Sequence, residues 1–188
     1  MTDIFQNAPD RIKLPIAFDA QRLLDELARD LSKPFLYYSV VMLAVPGDIA
    51  THTGASRIPS KDNGDLSDIP YTQSILEHFR AHTTLTLARL LRLEAGAEVK
   101  EHTDPTLGLD VEDSVVRLTI PITPTSDVDF VLNGTAVPMQ AGECWYMKLN
   151  DPHRVLHHGT EERVNLTLDV VPNDWVLEQL GLGAPVQA

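Results

Sequence analysis

Apolar residues return at helical spacing in three places. In FDAQRLLDELARDLSKP (18–34), Ala20, Leu23, Leu24, Leu27, Ala28 and Leu31 share one face of a 3.6-residue period; Asp19 is placed to cap the helix and Lys33-Pro34 to end it. PYTQSILEHFRAH (70–82) opens on a proline and gathers Tyr71, Ile75, Leu76 and Phe79 on one side. NDWVLEQLG (173–181) predicts a short terminal helix with Asn173 or Asp174 as cap and Gly181 as stop. Elsewhere the pattern changes to short runs of β-formers. FLYYSVVML (35–43) and TLTLARLLRL (84–93) come first. From 97 to 171, SVVRLTIPI, VDFVLNGTAVPM, ECWYMKL, HRVLH and RVNLTLDVV follow closely, with Asn133-Gly134 as a hairpin turn between two apolar runs. About nine strands, with helices mainly ahead of them, predict a mainly β fold: a double-stranded β-helix (jelly roll, cupin-like) with a few flanking α-helices.

Residues 45–70 have little periodicity and many Gly, Pro, Ser and Asp. A loop of that length is a candidate lid or a surface insertion. Neither repeats nor a second domain are visible. The expectation is a single domain over 1–188, with a catalytic jelly-roll core at 84–171 and with helices, edge strands and the candidate lid in 1–83.

Charge narrows the partners. Lys and Arg total 15 against 27 Asp and Glu, a net charge of −12, and the Arg residues are scattered singly. No basic footprint for nucleic acid exists. No apolar run approaches the roughly 18 residues of a membrane span, and no secretory pattern opens the chain. One cysteine, Cys144, reads as a small buried residue, and a cytoplasmic setting is expected. In so acidic a chain, an inward-facing Arg points to an anion.

The chemistry begins at EHTDPTLGL (101–109). If 98–104 is extended, His102 and Asp104 project from one face and offer a metal two adjacent ligands. The plain alternative is a polar turn, with Asp104 accepting backbone hydrogen bonds before Pro105. A facial triad needs a third ligand from a distant strand, and His153, His157 and His158 are the candidates. Arg163 lies ten residues after His153. A hairpin near 158–161 would bring the two together, leaving the planar guanidinium free to bind a carboxylate in bidentate fashion. Trp145 reads as packing, and His52, His78 and His82 as surface residues without partners. Asn165, Thr167 and Asp169 share one face of the last strand, either as hydrogen-bond support for the ligands or as a satisfied polar ladder.

Taken together, HTD, RLTIPI, GECWYMKLNDPHRV and ERVNLTLDVV resemble the aspartyl/asparaginyl β-hydroxylase family of Fe(II)- and 2-oxoglutarate-dependent oxygenases, over roughly residues 84–175. The resemblance implies that His102, Asp104 and His153 ligate iron and that Arg163 pairs with the distal carboxylate of 2-oxoglutarate. It implies that Arg117 approaches the cosubstrate, with Thr119 standing where members often carry His. The animal members lack the Asp of the His-x-Asp pair, so this chain is similar to the full-triad bacterial branch that includes proline cis-hydroxylases. The activity implied is O2-dependent hydroxylation of an unactivated C–H of an amino acid, an amino-acid derivative or a peptidyl Asp/Asn, with release of succinate and CO2. Fe(II), Asp104, 2-oxoglutarate and Arg163 together sum to zero charge, which a low-dielectric pocket tolerates. Arg117 leaves one positive charge over, which a substrate carboxylate would neutralise. Two other readings stay open: a cupin-type metal enzyme that uses no oxoacid, and a non-catalytic cupin-like binding module. Arg163 separates them, because only the first reading requires a buried cation at the site.

Overall fold

The computed structural model describes residues 8–32, 40–47 and 56–183. Two antiparallel sheets face one another. The larger has seven strands in the order β1-β9-β6-β11-β4-β2-β3, and the smaller has four in the order β5-β10-β7-β8. Their ranges are β1 Arg11–Ala17, β2 Val40–Pro46, β3 Ser60–Asp62, β4 Leu85–Leu93, β5 Glu98–His102, β6 Val116–Pro121, β7 Val128–Leu132, β8 Thr135–Ala136, β9 Glu143–Met147, β10 His153–His157 and β11 Arg163–Val170. Helices α1 (Ala20–Leu31), α2 (Pro70–His82) and α3 (Asp174–Gln179) complete the chain. This is a jelly roll with helices on the outside of its larger sheet.

Strand alternation divides the large sheet into two working faces. Leu118 and Ile120 of β6, Leu166 and Leu168 of β11, Ala88 and Leu90 of β4, and Cys144 and Tyr146 of β9 turn outward. They join Leu23 and Leu27 of α1 and Ile75, Leu76 and Phe79 of α2 in one core. The opposite face looks into the barrel. There Leu93, Trp145 and Met147 meet Phe130, Leu132 and Val155 of the small sheet. Cys144 is fully buried in the outer core, and desolvation pushes its thiol pKa far up, so it is an inert packing residue.

The local signals produce these elements for identifiable reasons. Asp19 accepts a hydrogen bond from the Arg22 amide at 3.0 Å and caps α1, and Asn173 accepts from Val176 at 3.0 Å and caps α3. Helix α2 has no side-chain cap of its own at Ile69. Glu26 of α1 supplies one instead, accepting from the Tyr71 and Thr72 amides at 2.8 and 2.9 Å. Asn133 and Gly134 both take positive φ (49° and 74°), the conformation of a type I′ hairpin turn, and Leu132 pairs with Thr135 across it.

Four expectations change. The strand predicted at 35–43 is seen from Val40 to Pro46, and 35–39 lie outside the described residues. The described part of 45–70 is not a uniform loop. It contains β3, paired to β2, and Leu66 and Ile69 are buried in the outer core. The strand predicted over 98–104 ends at His102. Finally, β10 and β11 form no hairpin: they belong to different sheets, so residues 158–162 carry the chain across the barrel wall. Among the described residues, no helix is long and apolar enough to cross a membrane.

Candidate metal and cosubstrate site

The mouth of the barrel holds His102, Asp104 and His153, whose ligand atoms all lie within 4.8 Å of one another. Each arrives by a different route. His102 is the last residue of β5 and His153 the first of β10, and the two are direct partners in antiparallel register. Their rings stand 4.3 Å apart between centroids. Asp104 sits in the turn beyond β5. Its amide donates to the Leu149 carbonyl at 2.8 Å and its carbonyl accepts from Leu107 at 3.0 Å, while Asn150 donates to the Leu107 carbonyl at 3.0 Å. These bonds lash the turn to the segment leading into His153. Period-2 alternation therefore does not bring His102 and Asp104 together. Asp104 occupies a turn and also faces the histidines, so the turn and the ligand cluster are one structure.

The histidine tautomers follow from their partners. His102 Nδ1 lies 2.8 Å from the Lys100 carbonyl and His153 Nδ1 lies 3.0 Å from the Asp151 carbonyl. A carbonyl only accepts, so each Nδ1 carries the proton and each Nε2 presents its lone pair. His153 stacks on Phe130, with rings 9° from parallel, and is buried. Burial, the strongest influence, and the neighbouring His102 and Arg117 outweigh the raising effects of Asp151 and Asp104, so its pKa falls below the ordinary value. The neutral ring needed for coordination is thus favoured.

Behind the cluster lies a cavity of about 260 Å³ lined by Arg117, Thr119, Arg163, Asn165 and Thr167 among others. Arg163 opens β11 with only 8% of its surface exposed. No carboxylate among the described residues pairs with it, its Nε has no hydrogen-bond partner, and desolvation pushes its pKa down to about 10. The Asn165 amide, turned so that both its ends are satisfied, accepts from Arg163 Nη2 at 2.5 Å. Arg163 is therefore a buried cation with half of its fork unclaimed, facing a cavity that also receives His153.

Arg117 is different. Its Nε and Nη2 donate to the two oxygens of Asp169 at 2.7 and 2.8 Å. Burial would lower its pKa, but the charges of Asp169 and Asp104 and the hydrogen bonds to Asp169 outweigh that and raise it. Asp169 thus cancels the extra positive charge that the sequence assigned to a substrate carboxylate. The sequence placed Asp169 on one face of the last strand with Asn165 and Thr167 but did not connect it to Arg117. The signal was the register itself, because the two residues are direct partners across β11 and β6.

The remaining sequence candidates sort cleanly. His157 is buried, its Nε2 is 2.6 Å from the Glu161 carbonyl, and it braces the crossing between sheets. His158 is exposed and lies 3.0 Å from Asp129. Trp145 packs in the inner core and donates to Glu143 at 2.8 Å. His78 and His82 are exposed but not partnerless. His82 stacks on Trp175, with centroids 4.8 Å apart, and His78 meets the same indole edge-on. His52 lies outside the described residues.

Two imidazoles and one carboxylate at this spacing fit a single divalent transition-metal ion, with one side left open. The unclaimed guanidinium edge fits a carboxylate of a small dianion entering the same cavity. Comparison with known proteins points the same way. The family model described as aspartyl/asparaginyl beta-hydroxylase matches residues 59–172, which include every residue of the site. A 2OG-Fe(II) oxygenase family oxidoreductase from Burkholderia pseudomallei is 15% identical, with a TM-score of 0.55 over 86% of this chain and 84% of its own. A Pseudomonas putida prolyl-4-hydroxylase is 13% identical, with a TM-score of 0.55 over 87% of this chain and 93% of its own. The viral collagen prolyl hydroxylase of Paramecium bursaria chlorella virus-1, solved as a 2OG complex, is 11% identical, with a TM-score of 0.53 over 86% and 96%. At these identities the likeness is one of fold. No curated protein sequence matches the chain.

Proposed function

Because the chain belongs to the aspartyl/asparaginyl β-hydroxylase family, we propose that His102, Asp104 and His153 hold its Fe(II) and that Arg163 holds the distal carboxylate of its 2-oxoglutarate. The protein is a 2-oxoglutarate-dependent hydroxylase, with iron as cofactor and 2-oxoglutarate and O2 as cosubstrates. The observation that carries the residue assignment is Arg163. A cation buried without a carboxylate is costly, and a protein retains one where a ligand will complete it.

When bound, the iron would supply O2 activation, with one oxygen atom going to the substrate C–H and the other to the succinate left when 2-oxoglutarate loses CO2. The chain's own groups do the positioning. The Lys100 and Asp151 carbonyls fix both Nε2 atoms toward the cluster. Phe130 supports the ring of His153. Arg163, with Asn165 behind it, sets the depth at which a dicarboxylate seats, and Thr119 offers that ligand a hydroxyl from the neighbouring strand β6. The apolar lining from Leu91, Leu93 and Met147 excludes water from the space around the ligand. The substrate class we favour is a free amino acid or a derivative, with a peptidyl Asp or Asn as the second choice. The small cavity volume and the full His-x-Asp pair support the first.

The test is an anaerobic titration of the metal-free protein with Fe(II) and then 2-oxoglutarate, followed by visible absorbance. Chelation of the oxoacid to ferrous iron gives a charge-transfer band. The expected result is a band in the wild type, none in His153→Ala and a strongly weakened one in Arg163→Ala. Iron binding without any band would replace this reading with a metal site that uses no oxoacid.

A further inference from the structure

Behind the ligand cluster, one guanidinium stands between two carboxylates. Asp169 is almost wholly enclosed, with its side chain 4% exposed against 34% for Asp104. It claims Arg117 through two short bonds, at 2.7 and 2.8 Å. The remaining nitrogen, Nη1, stops 3.6 Å from Asp104 Oδ2, beyond hydrogen-bond range. That same Oδ2 is the atom 4.0 Å from His153 Nε2. The guanidinium and the ligand cluster therefore address one oxygen.

We infer that Asp169 is a positioning residue for the metal: it holds Arg117 back from Asp104, so that Oδ2 stays available to the ion. The inference rests on the triad being the metal site. Its physical basis is competition. A partly buried Arg and a carboxylate within reach close into a bidentate pair when nothing else claims the Arg. A metal must then break that pair before it gains its ligand. Asp169 satisfies one whole edge of the fork. It sits mid-sheet, paired with Arg117 on one side and Leu87 on the other, and its carbonyl accepts from Thr86 Oγ1 at 3.0 Å. It has no room to follow if Arg117 moves. At 3.6 Å the guanidinium still attracts Asp104 electrostatically. Asp104 lies in a turn, and its side chain has no hydrogen bond among the described residues, so this attraction orients it without capturing it.

Asp169→Asn keeps the shape of the side chain but removes its charge, and Arg117 then turns to Asp104. Cobalt(II) serves as the probe, titrated calorimetrically into the metal-free 188-residue chain. The expected affinity loss for Asp169→Asn is about tenfold to a hundredfold. Arg117→Gln/Asp169→Asn removes the competitor together with its restraint, and its cobalt affinity returns to within a few-fold of the wild type. A purely structural role predicts the opposite, a double variant as weak as the single one or weaker. The thermal shift that 2-oxoglutarate gives the metal-free protein should be equal in Asp169→Asn and wild type, because Arg163 is untouched.

Wild-type affinity in Asp169→Asn, or a double variant that stays weak, overturns the inference and leaves the proposed function standing. Failure of the wild type itself to bind cobalt overturns both. If Asp169→Asn does not fold, Asp169→Ser takes its place in the pair: weak cobalt binding that Arg117→Gln restores supports the competition, and wild-type affinity, or weakness that Arg117→Gln does not restore, overturns it.

Discussion

Arg163 illustrates how a single side chain can be costly to the fold and necessary to the site. Its guanidinium is buried, its Nε is unsatisfied, and desolvation lowers its pKa to about 10. An unsatisfied buried polar group costs on the order of 1–3 kcal/mol, and a charged one costs more. Arg163→Met fills the same volume without the charge. It is expected to raise the melting temperature of the ligand-free protein by a few degrees and to abolish the thermal shift caused by 2-oxoglutarate, both readable in one melting series. A lowered melting temperature would mean that the bond to Asn165 already offsets the burial. The residue types were legible in the sequence because metal and carboxylate recognition use few side chains. The state of each charge was not. Nothing in the chain order tells that Arg117 is spent on Asp169 while Arg163 is kept open.

At the scale of elements, the helices were the most legible part, because each carries its own period and its own stop. Helix α2 occupies Pro70–His82, the whole stretch that its pattern predicts. Its start is another matter. The orphan amides of Tyr71 and Thr72 are capped by Glu26, which is 45 positions away from the first of them. A cap from another helix leaves no local signature, since Glu26 reads in sequence as one more charged helical residue. Glu26→Ala is expected to destabilise the protein by about 1 kcal/mol, the usual cost of losing a helix cap, measured as a lower denaturant midpoint with an unchanged slope. The strands show the same division. The Asn133-Gly134 turn was readable, because positive φ at both positions selects those residues. The separation of β10 from β11 into different sheets was not, because the residues between them suit a hairpin equally well.

Across the whole molecule, the large sheet serves two masters. Its outer face packs helices α1 and α2 in the larger of the two apolar cores. Its inner face gives up apolar contact to a row of polar residues that line the cavity: Arg163, Asn165 and Thr167 on β11 and Arg117 and Thr119 on β6. Stability and function therefore sit on opposite sides of the same strands. Phe79→Ala, in the outer core and fully buried, is expected to cost about 3–5 kcal/mol. Provided the variant remains folded in the cold, cobalt affinity should change little. Unfolding monitored by circular dichroism and metal titration of the same sample check the two halves of this statement.

The sequence alone determined the three helices, most of the strands, the mainly β class, and the types of residue at the site, because periodicity, turn chemistry and ligand chemistry are all local or compositional; it gave no sign of β1 or β3, which exist by pairing with β9 and β2. Tertiary structure decided which histidine joins His102 and which arginine stays open. It also placed Asp104 beside the imidazoles through a turn rather than a strand. Those outcomes depend on strand register, on which sheet each strand enters, and on backbone bonds such as Asp104 to Leu149, all of which join residues far apart in the chain. Side-chain charge is likewise settled by neighbours across a sheet, and Asp169 facing Arg117 is fixed only when β11 and β6 pair.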